Sequence, residues 1–242
     1  MNLRMFSIFF ISVCIVTSGC ESQKIIDTSS DYKEIKESPY QVESLTYQDG
    51  NITIQYPQLT QMEDHNKQQK INNTIKKEAI LFVNQYNAPD TTLNMDYQMM
   101  VNSSESLSIL YSGDLSVTGG LYPSHLVFTT NMNVGTGEKL RALDQYVIDE
   151  LFIDKLKNSS YLDWENSDSP NVEKKKAVIE YLNSISTNEL IGALIHGDRP
   201  TIQENLYGVY TYFKDDSLII SIQVPHALGD HAEFRLKLDE LK

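Results

Sequence analysis

The sequence predicts an α+β fold in which a mainly antiparallel sheet packs against helices. Several short segments alternate apolar and polar residues, which is typical of strands with one buried face. Longer stretches instead place apolar residues at helical spacing. The strands also come in consecutive runs rather than alternating with helices, so neighbouring strands are expected to pair antiparallel. The predicted order of elements is ββ-α-βββ-α-α-βββ.

The folded region is predicted to begin with a hairpin followed by a long helix. Apolar and polar residues alternate on both sides of Asp49-Gly50, a pair that favours a tight turn between two strands. Residues 62–87 then change to helical spacing. The apolar side chains on one face of this helix are Ile71, Ile75, Ala79, Phe82 and Tyr86.

The remaining elements follow from the same two patterns. Three strands are predicted at about residues 96–102, 106–118 and 125–134. A helix should then open at Leu143-Asp144 and run to about Leu156, and residues 158–171 form a polar loop. The apolar side chains on the buried side of that helix are Tyr146, Val147, Leu151 and Phe152. A second helical stretch over residues 172–195 precedes strands at about 206–213, 218–224 and 232–238.

The turn around Gly119-Gly120 has two interpretations. Two glycines permit a backbone path closed to other residues, and Pro123 fixes the exit angle, so a bulge or tight corner between strands is expected. The alternative is a glycine-lined surface groove beside Tyr122 and His125, because loops next to rigid sheets often carry binding sites.

His226 and His231 lie close enough in the sequence to share one loop. Together with Asp230 they could surround a metal ion, but zinc sites prefer tighter ligand spacing and a third identifiable ligand. We therefore expect a solvated turn, no metal and no cofactor. We keep both histidines as candidate binding residues, together with Gly119, Gly120, Tyr122 and His125.

Sequence motifs of hydrolases and nucleotide-binding proteins are absent from the chain. It has no Gly-x-Ser-x-Gly, no His-Glu-x-x-His and no Gly-x-x-x-x-Gly-Lys. The acidic pairs Asp149-Glu150 and Asp215-Asp216 are each adjacent in sequence, and adjacent helical residues do not face each other. The sequence therefore predicts no catalytic residue and a protein that is not an enzyme.

The N-terminus carries the clearest indication of location. Residues 5–18 are apolar and uncharged after Arg4, and Val16-Thr17-Ser18-Gly19-Cys20 resembles the lipobox of bacterial lipoproteins. This resemblance implies cleavage before Cys20 and a lipid (diacylglyceryl and fatty acyl chains such as palmitate) on that residue. An uncleaved membrane-spanning anchor is the alternative, but the apolar run falls short of about 20 residues.

The predicted organisation has three parts. Residues 1–19 form the signal peptide, residues 20–39 form a lipidated flexible tether, and residues 40–242 form the α+β domain, with sub-parts at about 40–118 and 119–242. The protein should be attached to the cell membrane by its lipid and should face outside the cytoplasm. Because Cys14 leaves with the signal peptide and Cys20 is lipidated, we expect no disulfide.

The charge of the chain restricts its partners. It carries 20 basic and 33 acidic side chains, a net charge of −13. Such a chain is not expected to bind nucleic acid or to hold anionic lipid head groups by a polybasic patch. It would suit a basic partner, although acidic surfaces also serve solubility alone.

Four short motifs resemble a two-part module of exported bacterial proteins. They are Ile54-Gln-Tyr-Pro57, Gly119-Gly120-x-x-Pro123, Thr136-Gly-Glu-Lys-Leu140 and Val224-Pro-His-Ala-Leu-Gly229. Their order and spacing resemble the domain of unknown function that precedes the catalytic domain in some peptidoglycan deacetylases. They also resemble the extracellular region of the sigma-V anti-sigma factor, a lysozyme receptor. Within these 242 residues no deacetylase domain follows the module, and only a few residues precede the apolar run, so we expect neither deacetylation nor sigma-factor binding.

These inferences lead to a non-enzymatic envelope lipoprotein. The resemblance implies that its domain binds a cell-wall component such as peptidoglycan, or a basic protein such as lysozyme. An undescribed hydrolase acting on cell-wall glycan or peptide is the alternative, and a purely structural role is a third.

Overall fold

Ten strands form two sheets in the part of the chain that the computed structural model describes, which is residues 38–86, 88–163, 171–199 and 208–241. The predicted signal peptide, Cys20 and all but the end of the predicted tether lie outside these residues. So do half of the predicted polar loop, residues 164–170, and the beginning of the strand predicted at about 206–213. All described residues belong to one compact unit, residues 36–242.

The first sheet contains six strands in sequence order. They are β1 (Gln41–Asp49), β2 (Ile52–Thr60), β3 (Thr91–Asn102), β4 (Ser106–Val117), β5 (Ser124–Asn133) and β6 (Glu138–Lys139). Only β2 and β3 pair in parallel, and α1 (His65–Tyr86) connects them; all other neighbours in this sheet are antiparallel. The predicted α+β class with mainly antiparallel pairing is confirmed.

The predicted hairpin and long helix are both present. Gly50 lies in the turn between β1 and β2 with φ at 55°, a conformation that glycine adopts without a steric penalty. On α1, Ile71, Ile75 and Ala79 are fully buried and pack in the core of the first sheet. Tyr86 is half-buried, while the side chain of Phe82 lies outside the described part of the structure.

The second sheet contains the remaining four strands. They are β7 (Ser160–Leu162), β8 (Tyr210–Lys214), β9 (Ser217–Gln223) and β10 (His231–Lys237), in the spatial order β7-β10-β9-β8 with antiparallel pairing throughout. The helices α2 (Glu150–Lys157), α3 (Val172–Ser184) and α4 (Thr187–Ile195) share a second core with this sheet. Leu156, Val178 and Leu194 from the helices meet Ile220 and Phe234 from the strands there.

The single helix predicted over residues 172–195 is two helices, α3 and α4. Ile185 leaves the helical conformation, with ψ at 130°. Ser186 then begins α4, because its side chain accepts from the backbone N–H of Glu189 while the Glu189 carboxylate accepts from the backbone N–H of Ser186. This capping box interrupts the helical pattern, and the Ser-x-x-Glu spacing was available in the sequence.

The helix predicted to open at Leu143-Asp144 begins later. Residues 142–145 form only a short 3-10 turn, and α2 begins at Glu150. Asp149 caps it by accepting from the backbone N–H of Phe152 at 3.0 Å. As a result Phe152 is buried as predicted, whereas Val147 and Leu151 are exposed. Their place in the core is taken by Ile153 and Leu156.

Two short strands, β6 and β7, were not predicted. Since β6 extends the first sheet to Lys139, that sheet includes residues on both sides of the predicted division at residue 118.

Among the described residues, no helix is both long and apolar enough to span a membrane.

A buried polar seam joins the two sheets, between β5 and β8. Asp198 accepts from the backbone N–H of Thr211 at 2.6 Å and from the hydroxyl of Thr129 at 3.3 Å. On the same seam, the side-chain amide of Asn131 donates to the backbone carbonyl of Thr211 at 2.8 Å. The backbone N–H of Phe213 donates to the hydroxyl oxygen of Ser108 on β4 at 3.0 Å. These bonds fix β8 against the first sheet and thereby position the cleft beside it.

Candidate functional site

A cleft of about 670 Å³ lies between the two sheets. Its walls come from β3, β4 and β5 on one side and from β7, β8 and β10, with the residue that follows β7, on the other. Apolar side chains such as Met100, Leu110, Val127, Tyr161 and Leu162 provide part of the lining. The charged and imidazole side chains that line it are His125, Asp163, Lys214, His231, Glu233 and Arg235.

Strand β10 provides three of these polar side chains. His231, Glu233 and Arg235 stand at alternate positions and therefore on one face of the strand. The intervening Ala232 and Phe234 point into the second core. Although the polar face of an antiparallel strand usually meets solvent, here His231 and Glu233 are buried beneath the first sheet.

Glu233 is a largely buried carboxyl group. It is 7% exposed, and the hydroxyl of Tyr212 donates to its Oε2 at 3.0 Å. Burial raises the pKa of Glu233 above its usual value, because removal from water disfavours the charged form. Burial and the neighbouring Glu233 likewise raise the pKa of Tyr212, so the hydroxyl keeps its proton and remains a donor.

His231 is neutral at pH 7. Burial, with a smaller contribution from His125, lowers its pKa to about 4. Its Nδ1 lies 3.2 Å from the hydroxyl of Ser221 on β9, and its ring lies 6.3 Å from that of Tyr210. His231 therefore contributes a neutral imidazole to the cleft wall.

The two loops singled out in the sequence meet in the structure. The backbone N–H of His125 donates to Asp230 at 2.7 Å, and Nδ1 of His226 lies 3.0 Å from the same carboxylate. The rings of Tyr122 and His226 lie 6.1 Å apart. Nδ1 of His125 also lies 3.2 Å from Oδ1 of Asp114 on β4.

The six candidate residues thus divide into three pairs. His125 and His231 line the cleft. Tyr122 and His226 lie beside its His125 end and are largely exposed, and Gly119 and Gly120 form the turn between β4 and β5. Gly119 has φ at 83°, which fits the predicted tight corner.

The structure also tests whether these side chains converge as metal ligands. Within the described ranges, no three His, Cys, Asp or Glu side chains are grouped closely enough to hold a metal ion. Asp230 instead ties His226 to the backbone of His125, which is a structural role for its carboxylate.

Several residues of the cleft were missed from the sequence, notably Asp163, Tyr212, Glu233 and Arg235. The one available signal was the alternation of polar and apolar residues along β10. That alternation is equally typical of a strand with a solvated face, so it could not show that the face is covered by another sheet.

Comparisons with known proteins yield similarity in structure alone. No protein-family model and no curated protein matches the chain. The structure is similar to a DUF3298 protein, a domain of unknown function, from Bacteroides fragilis NCTC 9343 (15% identity, TM-score 0.49, covering 84% of this chain and 92% of that chain). It is also similar to a DUF3298 protein from Pseudomonas aeruginosa PAO1 (12% identity, TM-score 0.48, covering 84% and 93%). The solved structures similar to this chain thus include domains of unknown function, while the resemblance to the anti-sigma factor and the deacetylases stays a prediction.

Proposed function

We propose that this chain is a lipid-anchored protein outside the cytoplasm whose inter-sheet cleft binds a component of the cell wall. The observation that carries the proposal is the cleft itself. Its volume of about 670 Å³ falls in the range of sites that hold small ligands, roughly 300–1,000 Å³. Apolar walls with a few convergent polar groups are also typical of such sites. The lipobox-like sequence ending at Cys20 supports a position next to the wall.

Co-sedimentation with purified, insoluble peptidoglycan tests this function. The full chain in mild detergent should pellet with the wall material, and Arg235→Gln should reduce the pelleted fraction. Lys237→Gln is the matched control, because Lys237 lies two residues further along β10, is exposed and does not line the cleft. Absence of the unaltered chain from the pellet at low salt would reject the proposal.

The net charge of −13 supports a second partner, a basic protein such as lysozyme. Attraction between opposite charges predicts that immobilised lysozyme retains the chain and that retention weakens as salt rises. No retention at low salt would exclude this partner without affecting binding to peptidoglycan.

Glu233 supports hydrolysis of the cell wall as an alternative activity. A buried carboxyl group with a raised pKa is suited to donate a proton to a leaving group, and Asp163 supplies a second carboxyl group in the same cleft. This alternative predicts that the chain releases soluble fragments from purified peptidoglycan and that Glu233→Gln abolishes release. An unaltered chain that binds peptidoglycan but releases nothing would reject the alternative and keep the binding function.

A further inference from the structure

The charged side chains of the cleft are separated by depth. The acidic pair, Asp163 and Glu233, is 5% and 7% exposed, whereas the basic pair, Lys214 and Arg235, is half-buried. The cleft therefore has an acidic floor, Asp163 and Glu233, and a basic rim, Lys214 and Arg235. None of these four side chains forms an ion pair within 4.0 Å with any described residue.

The two acids of the floor come from β10 and from the residue that follows β7, the strand paired with β10. In the pairing of β7 with β10, Glu233 stands opposite Leu162. Asp163 is the next residue after Leu162, and both acids line the cleft. Two carboxyl groups that line the same cleft can each accept hydrogen bonds from the amino group of a ligand.

Asp163 retains an unused acceptor. Its Oδ2 accepts from the backbone N–H of Asn171 at 3.1 Å. Its Oδ1 is buried and has no hydrogen-bond partner among the described residues. Because a buried carboxylate oxygen without a donor is unfavourable, a ligand donor that reached this oxygen would be stabilised by it.

The basic rim lies next to this floor. Arg235 is two residues beyond Glu233 on the same face of β10, and Lys214 ends β8, which β9 separates from β10 in the same sheet. Arginine binds carboxylates in a two-pronged geometry, and a half-buried lysine adds a second positive charge. The rim therefore fits an anionic group of a ligand whose amino group binds on the floor.

We propose that the cleft binds a peptide residue that carries both a protonated amino group and a carboxylate, with the amino group on the Asp163–Glu233 floor and the carboxylate on the Lys214–Arg235 rim. This inference rests on the proposed function and specifies the part of the cell wall that is recognised. It assigns the ligand to the wall's peptides, which carry such groups, and not to its uncharged glycan.

Calorimetry with defined probes tests the inference on the full chain in detergent. The first probe is N-acetylmuramyl-alanyl-isoglutaminyl-lysine, whose last residue carries both groups. The second has the lysine amine acetylated, the third has its terminal carboxylate converted to an amide, and the fourth is the uncharged disaccharide of N-acetylglucosamine. The first should bind at least about tenfold more tightly than each of the others, as expected when a charged hydrogen-bonding group is removed.

Variants assign each charge to its end of the cleft. Asp163→Asn should weaken binding of the first probe but leave binding of the acetylated probe unchanged. Arg235→Gln should weaken binding of the first probe but leave binding of the amidated probe unchanged. Lys237→Gln should not change the binding of any probe. The probe comparison decides the inference even where a variant fails to fold.

The outcomes separate this inference from the proposed function. If the uncharged disaccharide binds as tightly as the peptide probe, or if acetylation and amidation change nothing, the charge assignment is wrong while wall binding stands. If neither these probes nor insoluble peptidoglycan binds, the proposed function fails and the inference fails with it.

Discussion

The carboxylate of Asp230 accepts a hydrogen bond from the backbone N–H of His125 at 2.7 Å, although 105 residues separate the two in sequence. The same carboxylate lies 3.0 Å from Nδ1 of His226. Asp230 thus joins the turn that enters β5 to the turn that enters β10. Since β5 and β10 contribute opposite walls of the cleft, this contact fixes one end of its opening.

Replacing Asp230 tests that connection. Asp230 has φ at 66°, which glycine and asparagine both tolerate, so neither substitution adds backbone strain. Asp230→Gly removes the acceptor and should lower the free energy of unfolding by about 1–2 kcal/mol. It should also accelerate hydrogen exchange of the His125 amide at least about tenfold. Asp230→Asn keeps an acceptor oxygen and should retain most of the protection; equal protection of the His125 amide in the glycine variant would contradict this role.

Two glycines provide an opposed pair of stability predictions. A Cβ at Gly113 on β4 would lie 2.0 Å from the backbone oxygen of Asn94 on β3, so Gly113→Ala must push the strands apart. We expect a loss of about 3 kcal/mol in the free energy of unfolding. Gly192 lies within α4 with nothing within 4 Å of the added carbon, so Gly192→Ala should stabilise by roughly 0.5–1 kcal/mol. Urea unfolding measures both, and equal midpoints for the two variants would contradict the packing described for β3 and β4.

Asp198 makes the stability depend on pH. Burial raises its pKa to about 6, although hydrogen bonds from Thr211 and the charge of Lys139 act in the opposite direction. Because the folded-state pKa exceeds the unfolded value of 3.8, the folded state retains a proton that the unfolded state has lost. The stabilising contribution is therefore greatest below about pH 4. It is lost as pH rises through about 6, a change of about 3 kcal/mol.

His231 acts in the opposite sense, so a single pH curve would mix the two effects. Its folded-state pKa of about 4 lies below 6.5, and its contribution is present above pH 6.5 and is lost as pH falls toward 4. Asp198→Asn isolates the first effect, because His231 is common to both proteins. The free energy of unfolding of the unaltered chain, relative to Asp198→Asn, should decrease between pH 4 and pH 7. A difference that stays constant over this range would show that the buried carboxyl group does not titrate as described.

Local sequence patterns were sufficient for the elements whose physics is local. Asp49-Gly50 predicts the first hairpin and the spacing of Ile71, Ile75 and Ala79 predicts the buried face of α1. Both features depend on residues a few positions apart. The start of α4 at Ser186 was also encoded locally, but its capping box lies inside a continuous helical pattern that conceals the boundary.

The site depended on contacts between distant segments. Glu233 and Arg235 have the pattern of an exposed strand face, and only the packing of the second sheet beside the first buries that face. The meeting of residues 119–125 with residues 226–231 likewise requires Asp230 to reach His125 across the fold. No periodicity in a single sequence records which two sheets face each other.

Lipidation of Cys20 is a prediction from the sequence that labelling can check. When the chain is expressed in bacteria with labelled palmitate, the protein should carry the label and fractionate with the membrane. Cys20→Ser should lose the label. Cys14→Ser is the matched control and should keep it, because Cys14 lies within the predicted signal peptide. Label that remains on the Cys20→Ser protein would contradict the assignment.

Methyl NMR can test the proposed claim that the cleft between the sheets is the ligand site. Its walls carry methyl groups on Met100, Leu110, Val127 and Leu162, which can be labelled in the full chain. Soluble peptidoglycan fragments should shift these methyl signals and leave those of the exposed Leu121, Val147 and Leu151 unchanged. Shifts confined to the exposed methyl groups, or no shifts with fragments that bind by calorimetry, would contradict the claim.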